Sequence, residues 1–468
     1  MFLILATSLY GQKDTVTVII MHTNDMHSKI DNFPKIAFLI DSIRKTNKDV
    51  YLFSAGDLVT GNPIVDRYKI PGYPMIDLMN RVGYQITEIG NHEFDLWQSG
   101  LNRAMKQAKF PFICANIDAS KAELNQPKAY YKFVTPEGIS IGVLGLLELE
   151  KNGMPASNPV HLKGIKFLDP FKTAKKYASY KDSSDVFICL SHLGIETDRV
   201  LAKKFPNEFD VIIGGHSHTV IPKGEMLDGT LITQAGSYLR YLGVLTLKFY
   251  NGKLVSKSDK LISVRKTKNY DKNIAKIVDA YDNNPIFDKV VGTAKAALIG
   301  ENELGAMMTD AMIDTLHCDI AFQNTGGIRI HSIPAGKITK KQIFELAPFG
   351  NVYIVYNLTL KQIKKLIAYA YNLHKSNQIQ PSGVDIEIFI DKDKNLKEIK
   401  LFKNGKELPK GHYSVAINDY MATAYVLPFL QNGGKKYDIV DAGAIIGFLK
   451  KKSPIDYKGV KRVKIIVE

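Results

Sequence analysis

Five short apolar runs in the first 220 residues constrain this chain more than any other feature, because each stops at residue types that hold metal ions. The runs cover 16–21, 50–53, 85–89, 185–190 and 209–213. Asp25 and His27 follow the first (HTNDMH), and Asp57 follows the second (SAGD). Asn91, His92 and Asp95 follow the third (GNHEFD), His192 the fourth (LSHLG), and His216 and His218 the fifth (GGHSHT). Apolar runs of this length alternating with helical stretches are the pattern of an α/β domain, in which the C-terminal strand ends share an edge. Asp25/His27 and His216/His218 are i,i+2 pairs, which extended backbone sends to the same side. One histidine after a strand is usually structural. Five of the chain's 11 histidines at five successive strand ends, with Asp and Asn beside them, point to a metal site. Carboxylate, imidazole and amide oxygen together suit zinc, manganese or iron better than magnesium. Seven candidate ligands are too many for one tetrahedral ion and suit two divalent ions sharing a carboxylate, an arrangement that activates water for in-line displacement.

The rest of the chain frames that edge. A length of 468 residues suits two domains, or three at most, and a composition 45% hydrophobic and 23% charged is globular. The net charge of +15 is spread thinly, with only short clusters such as Lys450, Lys451 and Lys452, so no nucleic-acid-binding arm stands out. Cys114 and Cys189 sit in apolar runs as small hydrophobes, and with Cys318 they form no CxxC or disulfide framework. Residues 2–10 are apolar and end at Gly11, like the core of a signal peptide, so 1–12 is expected to be removed on export to a periplasmic or secreted location. No later stretch approaches transmembrane length. A catalytic domain is expected over 13–265, a polar linker helix over 266–286, and a second α/β unit over 287–468. In that unit Ile363, Leu366, Ile367, Ala370 and Tyr371 fall on one face of a predicted helix. The runs 384–390 and 461–467 read as strands.

The order Asp-x-His, Gly-Asp, Gly-Asn-His-Glu, His, Gly-His-Ser-His resembles the metallophosphoesterase superfamily. The fuller strings HTND, GNHEFD and GGHSHT are similar to its 5′-nucleotidase family, which includes bacterial UDP-sugar hydrolases. The resemblance implies a four-layer α-β-β-α sandwich followed by a separate α/β 5′-nucleotidase C-terminal domain. It implies that Asp25, His27 and His218 hold one metal, that Asn91, His192 and His216 hold the other, and that Asp57 bridges them. His92, polarised by Asp95, would be the catalytic dyad.

The C-terminal match is looser. Asn324 to Arg329 (NTGGIR) resembles the family's NGGGIR loop, with Arg329 suited to phosphate. Phe349 and Asn351 stand in a string similar to the family's PFGN loop, and the resemblance implies that the Phe stacks on a nucleobase and the Asn reaches its edge. Tyr420, in NDYMA, or Phe429, in the insertion after it, would supply the second stacking face. Three positions depart from the family: Gly300 replaces an Arg, Glu303 replaces an Asn, and Lys435 replaces the ribose-binding Asp.

The expected function is hydrolysis of phosphate monoesters, above all nucleotides, by two-metal-activated hydroxide attack at phosphorus, with zinc or manganese as the ions. The expected partner is a small-molecule nucleotide or related phosphate ester, with no nucleic acid and no obligate protein partner. Rival activities within the class are a UDP-sugar or dinucleotide pyrophosphatase and a 2′,3′-cyclic nucleotide phosphodiesterase. A non-catalytic surface binding protein on the same fold is the rival from outside it, disfavoured by the intact set from Asp25 to His218.

Overall fold

The computed structural model describes residues 15–431 and 433–468, so the signal-like segment 1–12 lies outside the described residues. The chain divides into two compact units. The first is built from the described part of Met1–Val59, Gly72–Ala156 and Lys163–Ala280, and the second from Thr60–Pro71, Ser157–Leu162 and Tyr281–Glu468.

The first unit stacks two sheets. One centres on the parallel strands Thr15–Thr23, Asp49–Ser54 and Ile86–Glu88, with Tyr241–Tyr250 antiparallel to the first of them. The other centres on Ser140–Leu147, Val186–His192 and Val211–Gly214, also mutually parallel. Side chains alternate along each strand. Val18, Ile20 and Phe53 therefore meet Val143, Ile188, Leu190 and Val211 in a core joining the sheets. The opposite face of the second sheet, with Leu144, Phe187, Cys189 and Ile212, packs on Ala174, Leu201 and Ala202 of the helices Pro170–Tyr177 and Ile195–Lys204. On the first sheet's outer side, the helix Phe33–Thr46 buries Ile36 and Ile40. This is the four-layer α-β-β-α sandwich. Burial on both faces is why its strands read as continuous apolar runs.

In the second unit, a five-stranded sheet is ordered Ile379–Ser382, Ile320–Asn324, His412–Asn418, Val352–Thr359, Lys435–Val440. A four-stranded sheet is ordered Lys406–Glu407, Leu396–Lys403, Asp385–Ile390, Val463–Val467. The helix Leu360–His374 buries Ile363, Leu366, Ile367, Ala370 and Tyr371, the face read from the sequence, and Thr359 caps it in a capping box with Gln362. The polar segment ahead of this unit carries the helix Lys272–Asp282. All three cysteines are free and buried.

Asp441 opens the helix Asp441–Lys452 with its side chain buried. Burial pushes its carboxyl up to about 7, against the opposing charge of Arg67. The folded state thus holds this proton more tightly than the unfolded chain. Its contribution to stability is full below about pH 4 and is lost as pH rises towards 7. Asp441→Asn is expected to remove that slope and to exceed the wild type in stability by roughly 1–3 kcal/mol at pH 8 but not at pH 4.5, measured by denaturant unfolding at both pH values.

Candidate active site

Three loops from the first sheet and two from the second converge at one edge of the sandwich. Beyond the strand ends, Asp25 N–H donates to the Gly56 carbonyl at 3.0 Å, His27 N–H to Asp57 at 3.0 Å and Ser28 N–H to Leu58 at 2.9 Å. The backbone there is not extended, which corrects the expectation drawn from the i,i+2 spacing. Asp25, His27, Asp57, His216 and His218 all have positive φ, between 47° and 71°. Left-handed backbone costs an L-residue about 1–3 kcal/mol, so these loops hold their shape only because their surroundings enforce it.

Glu93 is the main enforcing group, and the sequence reading gave it no role. Its buried carboxylate accepts the N–H groups of Leu58 at 2.7 Å, Asp57 at 3.0 Å and Gly90 at 2.6 Å, tying the second and third loops together. His92 N–H donates to Asp57 Oδ1 at 2.9 Å, which turns Oδ2 towards the imidazoles. Gly90 must be glycine, since a Cβ there would sit 2.2 Å from Asp57 Oδ1. The second sheet is tied in by His192, whose Nδ1 lies 2.7 Å from the Ala55 carbonyl, and by His216 N–H, which reaches Asp25 at 3.1 Å.

Two donor clusters result. In one, His27 Nε2 lies 3.0 Å from His218 Nε2, and His218 Nε2 lies 3.4 Å from Asp25 Oδ1. In the other, Asn91 Oδ1 lies 3.2 Å from His192 Nε2 and 3.1 Å from His216 Nδ1. Asp57 Oδ2 reaches both, at 3.8 Å from His27 Nε2 and 3.2 Å from His192 Nε2. Ligands held about 2.0–2.2 Å from a common ion lie roughly 3.0–3.5 Å apart, so these separations fit divalent cations. Tautomers agree. The Ala55 carbonyl accepts a hydrogen bond from His192 Nδ1–H, leaving Nε2 to face two acceptor oxygens. The Asn91 amide nitrogen donates to the Ala156 carbonyl at 3.0 Å, which presents its oxygen to the cluster. Glu148, also missed from sequence, accepts Ala156 N–H at 2.7 Å and so supports Asn91 from behind.

Charge follows the same geometry. Burial alone would raise the Asp57 carboxyl, but His192, His92 and His27 hold it well below the usual range. Burial and His192 depress His216 to about 4, leaving a neutral imidazole. Burial lifts Glu93 to about 7 and Glu148 to about 8. His92 Nδ1 lies 2.7 Å from Asp95 Oδ2, and its ring centroid is 5.0 Å from that of His27, so the dyad borders the first cluster. Tyr238, a third residue absent from the sequence reading, packs its ring 5.5 Å from His27 and 5.6 Å from His218.

The second unit gathers its own motif residues at one end of the five-stranded sheet. Asn418 Nδ2 donates to Asn324 Oδ1 at 2.8 Å, joining the NTGGIR and NDYMA segments, and Tyr420 follows in the helix Asp419–Ala424. Phe429 lies in the next short helix, Pro428–Leu430. The Arg329 guanidinium sits 5.6 Å from the Phe349 ring centroid, and the Asn351 carbonyl accepts Asp441 N–H at 2.9 Å. Glu303, which replaces the family Asn, is spent on structure, accepting Ile299 N–H at 2.6 Å and Gly459 N–H at 2.7 Å. Arg67, on a segment that no motif marks, stacks 4.1 Å over Phe344 and reaches towards Gly350 of the PFGN loop.

Residues 19–220 match the calcineurin-like phosphoesterase family, and residues 287–427 match the 5′-nucleotidase C-terminal domain. The chain thus carries a calcineurin-like phosphoesterase domain followed by a 5′-nucleotidase C-terminal domain. It is 26% identical to the UshA protein of Escherichia coli, over 96% of this chain and 93% of that one. It is 29% identical to the trifunctional nucleotide phosphoesterase YfkN of Bacillus subtilis, over 74% of this chain but only 27% of that longer protein. A solved 5′-nucleotidase precursor from Thermus thermophilus shares the fold, with a TM-score of 0.83 at 24% identity over 96% of this chain and 99% of that one. The family's chemistry is metal-dependent hydrolysis of phosphoric esters, and this chain is an enzyme of that class.

Because Glu93 joins two ligand loops, Glu93→Ala is expected to weaken metal binding at least tenfold, by loosening Asp57 rather than by removing a ligand. The chain's one tryptophan, Trp97, is half-exposed two residues after Asp95, and its emission during metal titration provides the measurement.

Proposed function

We propose that this enzyme is an extracytoplasmic nucleotide phosphohydrolase using two divalent ions, zinc or manganese, and that it releases phosphate from nucleoside monophosphates. The observation carrying this reading is the pair of donor clusters sharing Asp57, with the His92–Asp95 dyad beside them. Asp25, His27 and His218 would hold one ion and Asn91, His192 and His216 the other, with Asp57 common to both. When bound, the ions supply Lewis-acid charge neutralisation of phosphoryl oxygens and lower the pKa of water. Asp95 fixes the His92 ring by accepting a hydrogen bond from Nδ1–H, and its negative charge favours the imidazolium, whose Nε2–H would donate to a phosphoryl oxygen as charge builds in the transition state. Arg329 would pair with the substrate's phosphate. Phe349 would stack with the base, opposite Tyr420 or Phe429, and Asn324 and Asn351 would contact the ribose and base edge. The names of the relative YfkN, a trifunctional nucleotide phosphoesterase, and of two Vibrio 5′-nucleotidases support nucleotides as the substrate class. The signal-like segment 1–12 supports export. No described helix is long and apolar enough to cross a membrane.

A second reading, cleavage of a nucleoside diphosphate sugar or dinucleotide, is favoured by one observation. Lys435 is exposed at the start of the strand Lys435–Val440, where the family carries an acid, and suits a substrate with an additional negative charge.

His92→Ala is expected to lower kcat by about 10²- to 10⁴-fold with both metals retained, whereas Asp57→Ala loses metal as well as activity. Turnover of a substrate panel in Mn²⁺ or Zn²⁺, alongside metal analysis, checks both. Full activity in either variant contradicts the assignment.

Facing Asp57, His192 is held protonated well above its ordinary value despite burial, so a cation entering there must displace that proton. Metal affinity should therefore fall as pH drops, with net proton release seen by calorimetry in buffers of different ionisation enthalpy.

A further inference from the structure

A groove in the second unit lies away from every motif residue. The helix Leu360–His374 forms one bank with Lys361, Lys364, Lys365 and Ala368, at offsets of 0, 3, 4 and 7. The strand Leu396–Lys403 forms the other bank, with Leu396, Lys397 and Ile399. Lys410 and His412 close one end. The cavity has a volume of about 740 Å³, within the range of small-molecule sites, roughly 300–1,000 Å³.

Its position separates it from the motif loops. The strand Val352–Thr359 begins at the PFGN loop and ends at Thr359, on the groove, so the two are about 23 Å apart along eight residues. The neighbouring strand agrees, since Asn418, at the motif end, pairs with Tyr353, while His412, on the groove, pairs with Thr359.

Two properties define what this groove can hold. Its floor is apolar, made by Leu360, Ala368, Leu396 and Ile399 together with lysine methylenes, which can lie along apolar surface while their ammonium groups stay in water. Its rim is cationic on both banks. Lys361, Lys364, Lys365 and Lys410 have no ion pair among the described residues, and Lys397 has only Asp391, 3.8 Å away. Glu398, the one acid on the lining, is paired instead with Lys400 at 3.5 Å. A nucleotide's polar faces do not match an apolar floor, a flat bilayer does not enter a concave groove, and the volume is that of a small molecule rather than a protein interface.

We propose that this groove is a second, non-catalytic site that binds a single-chain anionic amphiphile, with its apolar chain on the Ala368–Leu396–Ile399 floor and its carboxylate or phosphoryl head among the lysines. The test uses the full chain and calorimetry below the critical micelle concentration, with dodecanoate and dodecylphosphonate as anionic probes. Dodecanol, inorganic phosphate and an acidic Leu/Glu peptide are the comparisons. Saturable binding of at least one anionic probe is expected, and its head group identifies which source the site prefers. Binding should weaken at least tenfold in K361E/K364E/K365E, and also in Ala368→Trp, which fills the floor. Phosphoesterase activity should be unchanged in both variants, showing that they fold. Equal binding of dodecanol, phosphate alone binding as tightly, tighter binding of the peptide, or full binding by either variant would each overturn the proposal.

Discussion

The Asp57 carboxylate is the point on which the site's geometry depends. One of its oxygens is fixed by the His92 N–H, and the other faces imidazoles from both sheets. A buried carboxylate of this kind is tolerable only with opposite charge around it, and the histidines provide that only when protonated or metal-bound. The fold brings His27 from one sheet and His192 from the other to this single group. The packing of two sheets and the chemistry of the edge are therefore parts of one arrangement.

Holding Asp57 there uses strained backbone and buried acids. Five candidate ligands sit at left-handed φ, and the loops carrying them are fastened by backbone bonds from Asp25, His27 and Ser28 and by the three bonds to Glu93. Glu148 does similar work one step further out, holding Ala156 so that Asn91 presents its oxygen. None of these supporting groups needs to touch a substrate. They spend their hydrogen bonds on keeping donor atoms about 3 Å apart, which is what a divalent ion requires of its ligands.

The second unit shows the same economy with a different outcome. Its motif residues gather at one end of a five-stranded sheet, where Asn324 and Asn418 meet, while the far end of the same sheet leads to the lysine-rimmed groove. The positions that depart from the family are readable only in this setting. Glu303 is a structural acceptor, Gly300 opens a helix with no side chain to offer, and Arg67 brings a guanidinium to the PFGN loop from a distant stretch of sequence.

Much of this was legible in the chain itself. The five apolar runs are strands buried on both faces, and the 361–375 periodicity is a helix with the predicted buried face, because burial leaves a local periodic signal. The candidate ligands were legible because metal donors come from a short list of residue types placed at strand ends. Sequence could not show that the site straddles two sheets, that its i,i+2 pairs are left-handed rather than extended, or that Glu93, Glu148, Tyr238 and Arg67 support the motifs. Those features depend on contacts between residues tens to hundreds of positions apart, and such contacts leave no periodicity or spacing to read. The sequence by itself determined which residues could bind metal and which strands would carry them. Only the tertiary structure decided that His27 and His192, 165 positions apart, would share Asp57, because only packing one sheet on the other brings their edges together.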